Sequence, residues 1–438
     1  MSLSAFGFSR HHLIMLSVVG FMVLIAFFDF LILWHFSDLL SAVFSLERLD
    51  TSWHWLSVAA IFIAGHLVRP MGGFLLGSYA DKKGRKPALC LALFGTSLFT
   101  LMIGLLPTYE QIGLWATILL VLARVGQGMS FSAIIPLAWI YVAENLPSRQ
   151  IGLGVGVVCM GIALALLMTA WLTCIFNEHL THVQLLGYAW RLPFVVSGVL
   201  GMLALLMYRH LQELSIFEQS PQSTHQTTPT ETKLSKVMNI KISERLQGSK
   251  RLQGIVSMFV LSWFVGSITI FNVFLLPLLG LGTTNEVSAY FSLEALFGSL
   301  FFVGGCVFFG FLADRIHAAT VIGTGSIALV LSAWGLFHNL LHGGQLTLLF
   351  FVLTGFTSGV IASTPALMVR LSPLANRATI LCVVYNIVNA IIGSVMPLLL
   401  SFATFHMTLA PVIYLAVVCV MTVLFLVFFI SNEPQQAA

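Results

Sequence analysis

Charge is what this sequence has least of. Of 438 residues only 8% are Asp, Glu, Lys or Arg, against 58% hydrophobic, and that leaves too little polar surface to cover a water-soluble globule of this size. The motifs of soluble chemistry are missing too. There is no GxxxxGK[ST], HExxH or GxSxG, so a phosphate-gripping loop, a helical zinc site and a nucleophile elbow of those forms are missing, which argues against an ATP-driven pump or a membrane enzyme. "GLGVG" at 152–156 lies inside an apolar run with no strand before it and is no dinucleotide loop. The six cysteines (Cys90, Cys159, Cys174, Cys306, Cys382 and Cys419) form no CxxC pair and fall in apolar runs. They read as small hydrophobes, so no metal site and no cofactor are expected.

Long apolar runs take the place of charge. Twelve occur, at about 13–38, 54–79, 88–107, 112–143, 151–175, 189–208, 254–280, 288–313, 319–338, 345–370, 378–402 and 408–430. Each reaches the roughly 20 residues that carry a helix across about 30 Å of hydrocarbon. They are not short alternating strands, which argues against a β-barrel. The first run is too long for a signal-peptide core and is read as retained.

The few basic residues set the orientation. With the N-terminus cytoplasmic, sixteen of the 20 lysines and arginines fall on the inner side, Arg69 and Arg124 lie within spans, and only Arg48 and Arg191 lie towards the outside. The positive-inside rule then puts both termini in the cytoplasm of a bacterial-type cell. The net charge of +4 reports this topology and implies no nucleic-acid partner.

One connection breaks the pattern of short links. Residues 209–253 include "QSPQSTHQTTPTETKLS", too polar to span, followed by Leu234, Val237, Met238, Ile242 and Leu246 at helical spacing, the mark of an amphipathic helix on the inner leaflet. The chain therefore divides into residues 1–208, a linker at 209–253, and residues 254–438. The two sides echo each other. "GSYADKKGR" at 77–85 follows the second run and "GFLADRIHA" at 310–318 follows the eighth, which marks a duplicated six-helix unit. The second copy carries His317 and Ala318 where the first has Gly84 and Arg85. The expected fold is an all-α membrane protein, twelve transmembrane helices in two pseudo-symmetric six-helix bundles.

The charged turn at 77–86 suits a latch. Gly77 and Gly84 permit close approach and a tight turn, Asp81 suits a helix N-terminus, and Arg85 suits a carboxylate on a neighbouring helix end. Gly77, Asp81, Gly84, Arg85 and Lys86 resemble the loop between the second and third helices of the major facilitator superfamily, whose members rock two six-helix halves about a central cavity. "FFDF" (27–30), "VRPMGG" (68–73), "RVGQGMS" with "VAENLP" (124–147), "WRLPF" with "QELSIF" (190–217) and "SPLANR" with "YNIVNAIIGSVMP" (372–397) resemble its metabolite:proton symporter family. Two departures stand out. Ala26 stands where that family usually has a glutamate, and Ser132, Ala133 and Ile134 replace its usual Gly-Gly-Glu.

Ionisable groups inside a span are costly and mark function by default. Asp29, Arg69 and Arg124 reach a similar depth, so they are expected to meet in one cavity, with Asp29 carrying the proton and Arg124 and Arg69 alternating between it and an anionic substrate group. A fixed structural ion pair is the plainer alternative. Asn272, Tyr290, Tyr385, Asn386 and Asn389 supply hydrogen-bonding groups from the second side, and His35, His66 and Glu294 are weaker candidates. Glu144 and Arg149 are expected to join Asp81, Arg85, Asp314, Arg370 and Arg377 in an inner gate.

The leading function is thus a proton symporter importing a small carboxylate, amino acid or betaine, or polycarboxylate such as a siderophore. Its partners are solute, protons and the bilayer, and it works as a monomer. Proton-coupled efflux is the rival, although the fifth run, "GVGVVCMGIALA", has no proline of the kind drug antiporters carry. A receptor that keeps the fold without moving solute is the third reading.

Overall fold

The computed structural model describes residues 8–44, 63–211, 233–275, 293–342 and 345–430. Among these residues every regular element is helical and none is a strand. Helix α1 spans Arg10–His35, with Ser9 accepting from the His12 N–H at its start. It is followed by α2 (Arg69–Lys83), α3 (Arg85–Leu105), α4 (Leu114–Phe131), α5 (Ile134–Asn145), α6 (Ile151–His179) and α7 (Arg191–Ala204). The second set comprises α8 (Lys233–Ile270), α9 (Leu293–Arg315), α10 (Ala318–His342), α11 (Thr347–Ser358), α12 (Thr364–Leu371), α13 (Arg377–His406) and α14 (Ala410–Phe425).

Eleven stretches among the described residues are long and apolar enough to cross a membrane. The second expected run, 54–79, is described only from residue 63 onwards. The expected amphipathic segment is helical from Lys233 and continues without a break into the next span as α8, while its side chains through 251 lie outside the described residues. The outer surface carries large apolar side chains such as Leu67, Trp115, Trp171 and Phe402. That suits hydrocarbon and would be a liability in water.

Two spans are broken in matching places. Leu114–Asn145 is α4 and α5 with Ser132 and Ala133 between them, and Thr347–Leu371 is α11 and α12 with a 3-10 turn, Gly359–Ser363, between them. Each break stands just before a proline, Pro136 or Pro365, which has no N–H for the carbonyl four residues back. The two freed carbonyls find different partners. The Thr364 hydroxyl donates to the Ile361 carbonyl at 2.8 Å, a local repair. The Ser132 carbonyl instead accepts from Asn386 Nδ2 of α13, across the molecule, at 2.7 Å.

The sets meet chiefly along two helix pairs, α2 with α13 and α6 with α9. Glycines make both contacts close. A Cβ on Gly77 would lie 2.8 Å from Thr379 Cα, and one on Gly152 would lie 2.6 Å from the Gly310 carbonyl oxygen. Close backbone approach of this kind is how small residues join helices in lipid, where apolar burial alone gives no preference for protein over lipid.

Candidate functional site

Asp29 lies about three-quarters of the way along α1 and is fully buried. A bare carboxylate there would be costly, and two hydroxyls meet it. Ser197 of α7 donates to Oδ1, and Thr100 of α3 donates to Oδ2 at 3.0 Å. The Thr100 oxygen in turn accepts from Gln127 Nε2 of α4 at 2.7 Å. Gln127 Oε1 accepts from Arg124 Nη1. Arg124 and Gln127 share a face of α4 because they are three residues apart.

Sequence reasoning brought Asp29 and Arg124 to one level, and the structure does so through two intervening side chains. No carboxylate forms an ion pair with Arg124 or Arg69 among the described residues, whose three ion pairs all lie elsewhere. Thr100, Ser197 and Gln127 were not singled out from sequence. Gln127 carried the one available signal, an amide inside a span at helical spacing from an arginine. The hydroxyls carried none, because Thr and Ser in such helices commonly bond their own i−4 carbonyl, as Thr96 does with Ala92 at 2.9 Å.

Arg69 begins α2 just ahead of Pro70, a residue suited to a first turn. Its guanidinium carbon lies 4.7 Å from the ring centres of both Phe30 and Phe131. Aromatic faces stabilise a buried cation that has no anion. The Nε atoms of Arg69 and Arg124 are both buried without a hydrogen-bond partner. The two guanidinium groups face one cleft, lined also by Ala26, Phe30, Gln127 and Phe131, and so narrow that it admits about one water. Ala26, in place of the family's glutamate, forms an apolar part of that wall.

The second set contributes unevenly. Tyr385 is buried edge-on against Trp139, with ring centres 5.2 Å apart, and lies within electrostatic reach of Arg69. Asn386 spends Nδ2 on the Ser132 and Cys382 carbonyls, both at 2.7 Å, so here it ties α13 to α5. Asn272 donates to the Ile268 carbonyl at 2.9 Å and to the Ser358 hydroxyl at 3.0 Å, and Asn389 donates to the Tyr385 carbonyl at 2.8 Å. His66 stacks edge-on with Phe30 at 5.3 Å, and His35 Nδ1 lies 3.0 Å from the Leu31 carbonyl. Tyr290 and the Glu294 side chain lie outside the described residues.

The expected gate forms a second constellation at the basic end of the bundle. Gly84, at φ 106°, turns α2 into α3 with a single residue between them, in a backbone conformation that a side chain would strain. This places Asp81 at the start of α13, where Oδ1 accepts from the Ala378 N–H at 3.1 Å and Oδ2 from the Thr379 N–H at 2.8 Å and hydroxyl at 2.7 Å. Arg85 pairs with Asp81 at 3.3 Å and with Glu144 at 3.1 Å, and Arg377 of α13 closes on Glu144 at 3.0 Å. In the other copy Asp314 accepts from the Gly152 and Leu153 N–H groups at the start of α6, both at 2.7 Å. Arg370 lies exposed but within electrostatic reach of Asp314. Arg149 is exposed and makes no ion pair among the described residues, so the structure does not bring it into this cluster.

Known proteins agree with this architecture. The model of the Major Facilitator Superfamily matches residues 19–397. A putative proline/betaine transporter of Staphylococcus aureus (strain MSSA476) is 31% identical over 405 residues, covering 85% of this chain and 78% of that one. The inner membrane metabolite transport protein YhjE of Escherichia coli (strain K12) is 27% identical over 432 residues, covering 98% and 96%. The solved structure of the proton:xylose symporter XylE bound to 6-bromo-6-deoxy-D-glucose superposes with a TM-score of 0.76 at 15% identity, covering 97% of this chain and 96% of that one. With a family model spanning most of its length and transporters among its relatives, the chain belongs to the major facilitator superfamily and is a transporter, not an enzyme.

Proposed function

We propose that the protein is a proton symporter that imports a small carboxylate-bearing zwitterion, of the amino acid or betaine class, across a bacterial inner membrane. The observation that carries this reading is the pair of buried guanidinium groups, Arg69 and Arg124, facing one cleft with no carboxylate partner among the described residues. Two unpaired buried cations are expensive to keep, and an incoming anion offsets that cost. As Arg69 turns to the substrate carboxylate it leaves the faces of Phe30 and Phe131, and aromatic faces are what an ammonium group binds. The relative named as a putative proline/betaine transporter supports the same class.

In this reading Asp29 carries the proton. Twelve helices form two six-helix halves, 1–208 and 254–438, joined by the linker at 209–253, with both termini cytoplasmic, and the protein works as a monomer. The Asp81 and Asp314 contacts are the cytoplasmic gate, closed in this conformation, while Asn386 serves the join between the halves more than the substrate. Alternating access then breaks the α2–α13 and α6–α9 contacts to open the inner side.

Proteoliposomes loaded with a pH dye test the proposal, with glycine betaine, proline and simple organic acids offered outside. One zwitterion is expected to acidify the lumen, and Asp29→Asn to abolish proton-driven accumulation while leaving solute exchange. Undiminished accumulation by that variant overturns the role of Asp29. Acidification by uncharged solutes alone overturns the substrate class.

A further inference from the structure

The geometry points to Gln127 and Thr100 as the link by which an anion at Arg124 and a proton on Asp29 sense each other. This rests on the reading of Asp29 as the proton carrier and adds the residues that couple it to the substrate site. Neither Gln127 nor Thr100 meets substrate in this scheme, so both are positioning residues.

The Thr100 hydroxyl has one proton and two acceptors for it, Asp29 Oδ2 at 3.0 Å and the Thr96 carbonyl at 2.9 Å. Its oxygen can also accept twice, and one of those places is taken by Gln127 Nε2 at 2.7 Å. Two complete hydrogen-bond patterns follow. With Asp29 ionised, the Thr100 O–H donates to Oδ2. With Asp29 protonated, the carboxyl O–H donates to the free lone pair of Thr100, and Thr100 turns its own proton to Thr96. No buried polar group among Asp29, Thr100 and Gln127 is orphaned in either pattern, so the hydroxyl is a two-position switch.

Gln127 carries the state of that switch to the cleft. Its amide oxygen is held by Arg124 Nη1, and its amide nitrogen holds Thr100. An anion that draws Arg124 away frees the amide to turn, and the donor that steadies Thr100 is lost. By linkage, a proton on Asp29 then changes the affinity of Arg124 for the anion by the same factor.

Little else can take over the task. Among the described residues the hydrogen-bond partners of the Asp29 carboxylate are the Ser197 and Thr100 hydroxyls, neither of them ionisable. Arg85 and Lys86 of α3, Tyr141 and Glu144 of α5, Cys159, Glu178 and His179 of α6 and Arg191 of α7 belong to helices packed on α1, and among the described residues none of them is a hydrogen-bond partner of Asp29. Beyond Arg124 the next charge is Arg69.

The test is a double-mutant cycle that needs no ligand. In the full-length protein in lipid, the carboxyl infrared band lost in Asp29→Asn is titrated against pH. Arg124→Gln is expected to change the proton affinity of Asp29 by about tenfold with Gln127 present, and by less than about threefold in the Gln127→Leu background, the non-additivity of residues in one network. Thr100→Val should uncouple in the same way, and Thr100→Ser, which restores the hydroxyl, should recover the full effect. If Arg124→Gln does not fold, Arg124→Lys, which keeps the charge and alters the donor, runs the same cycle.

Equal shifts in both backgrounds overturn the link and leave the proton-carrier reading standing. A protein in which no titrating band depends on Asp29 overturns both.

Discussion

The two copies of the latch make the same backbone contact and differ in the charges around it. Asp81 caps the N–H groups of Ala378 and Thr379, and Asp314 caps those of Gly152 and Leu153. Each capped helix follows a short 3-10 turn, Leu374–Asn376 or Ser148–Gln150, with a proline just before it. In that correspondence Glu144 matches Arg370, Arg377 matches Ile151, and Arg85 matches Ala318. The first copy has built an Asp81–Arg85–Glu144–Arg377 chain of charges. The second has neither arginine and carries Arg370 in place of the glutamate, which leaves Arg370 and Arg315 to answer Asp314. The shared part is therefore the carboxylate on a helix N-terminus, which two backbone donors and the helix dipole favour. The ion-pair chain is an addition to one side.

The comparison breaks most severely where the copies are alike. Gly77→Val and Gly152→Val each force a side chain into backbone at 2.8 Å or less. Each is expected to cost the closed gate about 3 kcal/mol, typical of overpacking. Uptake should fall to background, and a cysteine introduced beneath the gate should label freely from the basic side.

Removing the carboxylates separates the copies. Asp81→Ala loses two backbone donors, a hydroxyl and Arg85, and is expected to destabilise the closed gate by about 2 kcal/mol, whereas Asp314→Ala should cost about 1 kcal/mol, as loss of a helix cap does. Distances between spin labels at the ends of α2 and α13 and of α6 and α9 would show it, and equal effects would contradict the asymmetry. Glu144→Gln leaves two arginines facing one neutral amide and should cost about 1 kcal/mol. The loss should persist at high salt, because the three side chains are largely buried.

Two further variants sharpen the contrast. Ala318→Arg combined with Arg370→Glu rebuilds the Asp–Arg–Glu part of the charge chain in the second copy and is expected to gain about 0.5 kcal/mol for the closed state, whereas Ala318→Arg alone, beside Arg370, should not. Arg149→Ala should change transport by no more than the effect of about 0.5 kcal/mol expected of an exposed position.

What sequence could and could not reveal follows the same division. Asp81, Arg85, Glu144 and Arg377 stand out because charge at the end of an apolar run is rare and therefore conspicuous. A helix N-terminus was expected for Asp81, but the N–H groups of Ala378, Thr379, Gly152 and Leu153 carry no side-chain signature, so which helices the two aspartates cap was invisible. Arg149 looks as suitable as Arg377 on paper, yet only Arg377 begins the helix that Asp81 caps. The level of Asp29, Arg69 and Arg124 follows from helical rise, but the hydroxyl and amide between Asp29 and Arg124 depend on how α3 and α4 rotate against α1, which one-dimensional spacing does not fix. Asn386 looked like a substrate ligand because it is polar and inside a span. A proline 250 residues earlier gave it other work.

That proline has a consequence for how the molecule comes into being. The Ser132 carbonyl, freed by Pro136, and Glu144, twelve residues further on, both find partners on α13, the last helix but one. Segments enter the bilayer roughly in the order they are made. From the moment α5 leaves the ribosome until α13 follows, a polar backbone group within the span and part of a charged cluster at its end wait for partners not yet synthesised. The first half of the chain is left with an unsatisfied surface that only the second half can close, so maturation of the transporter ends with the join between its halves.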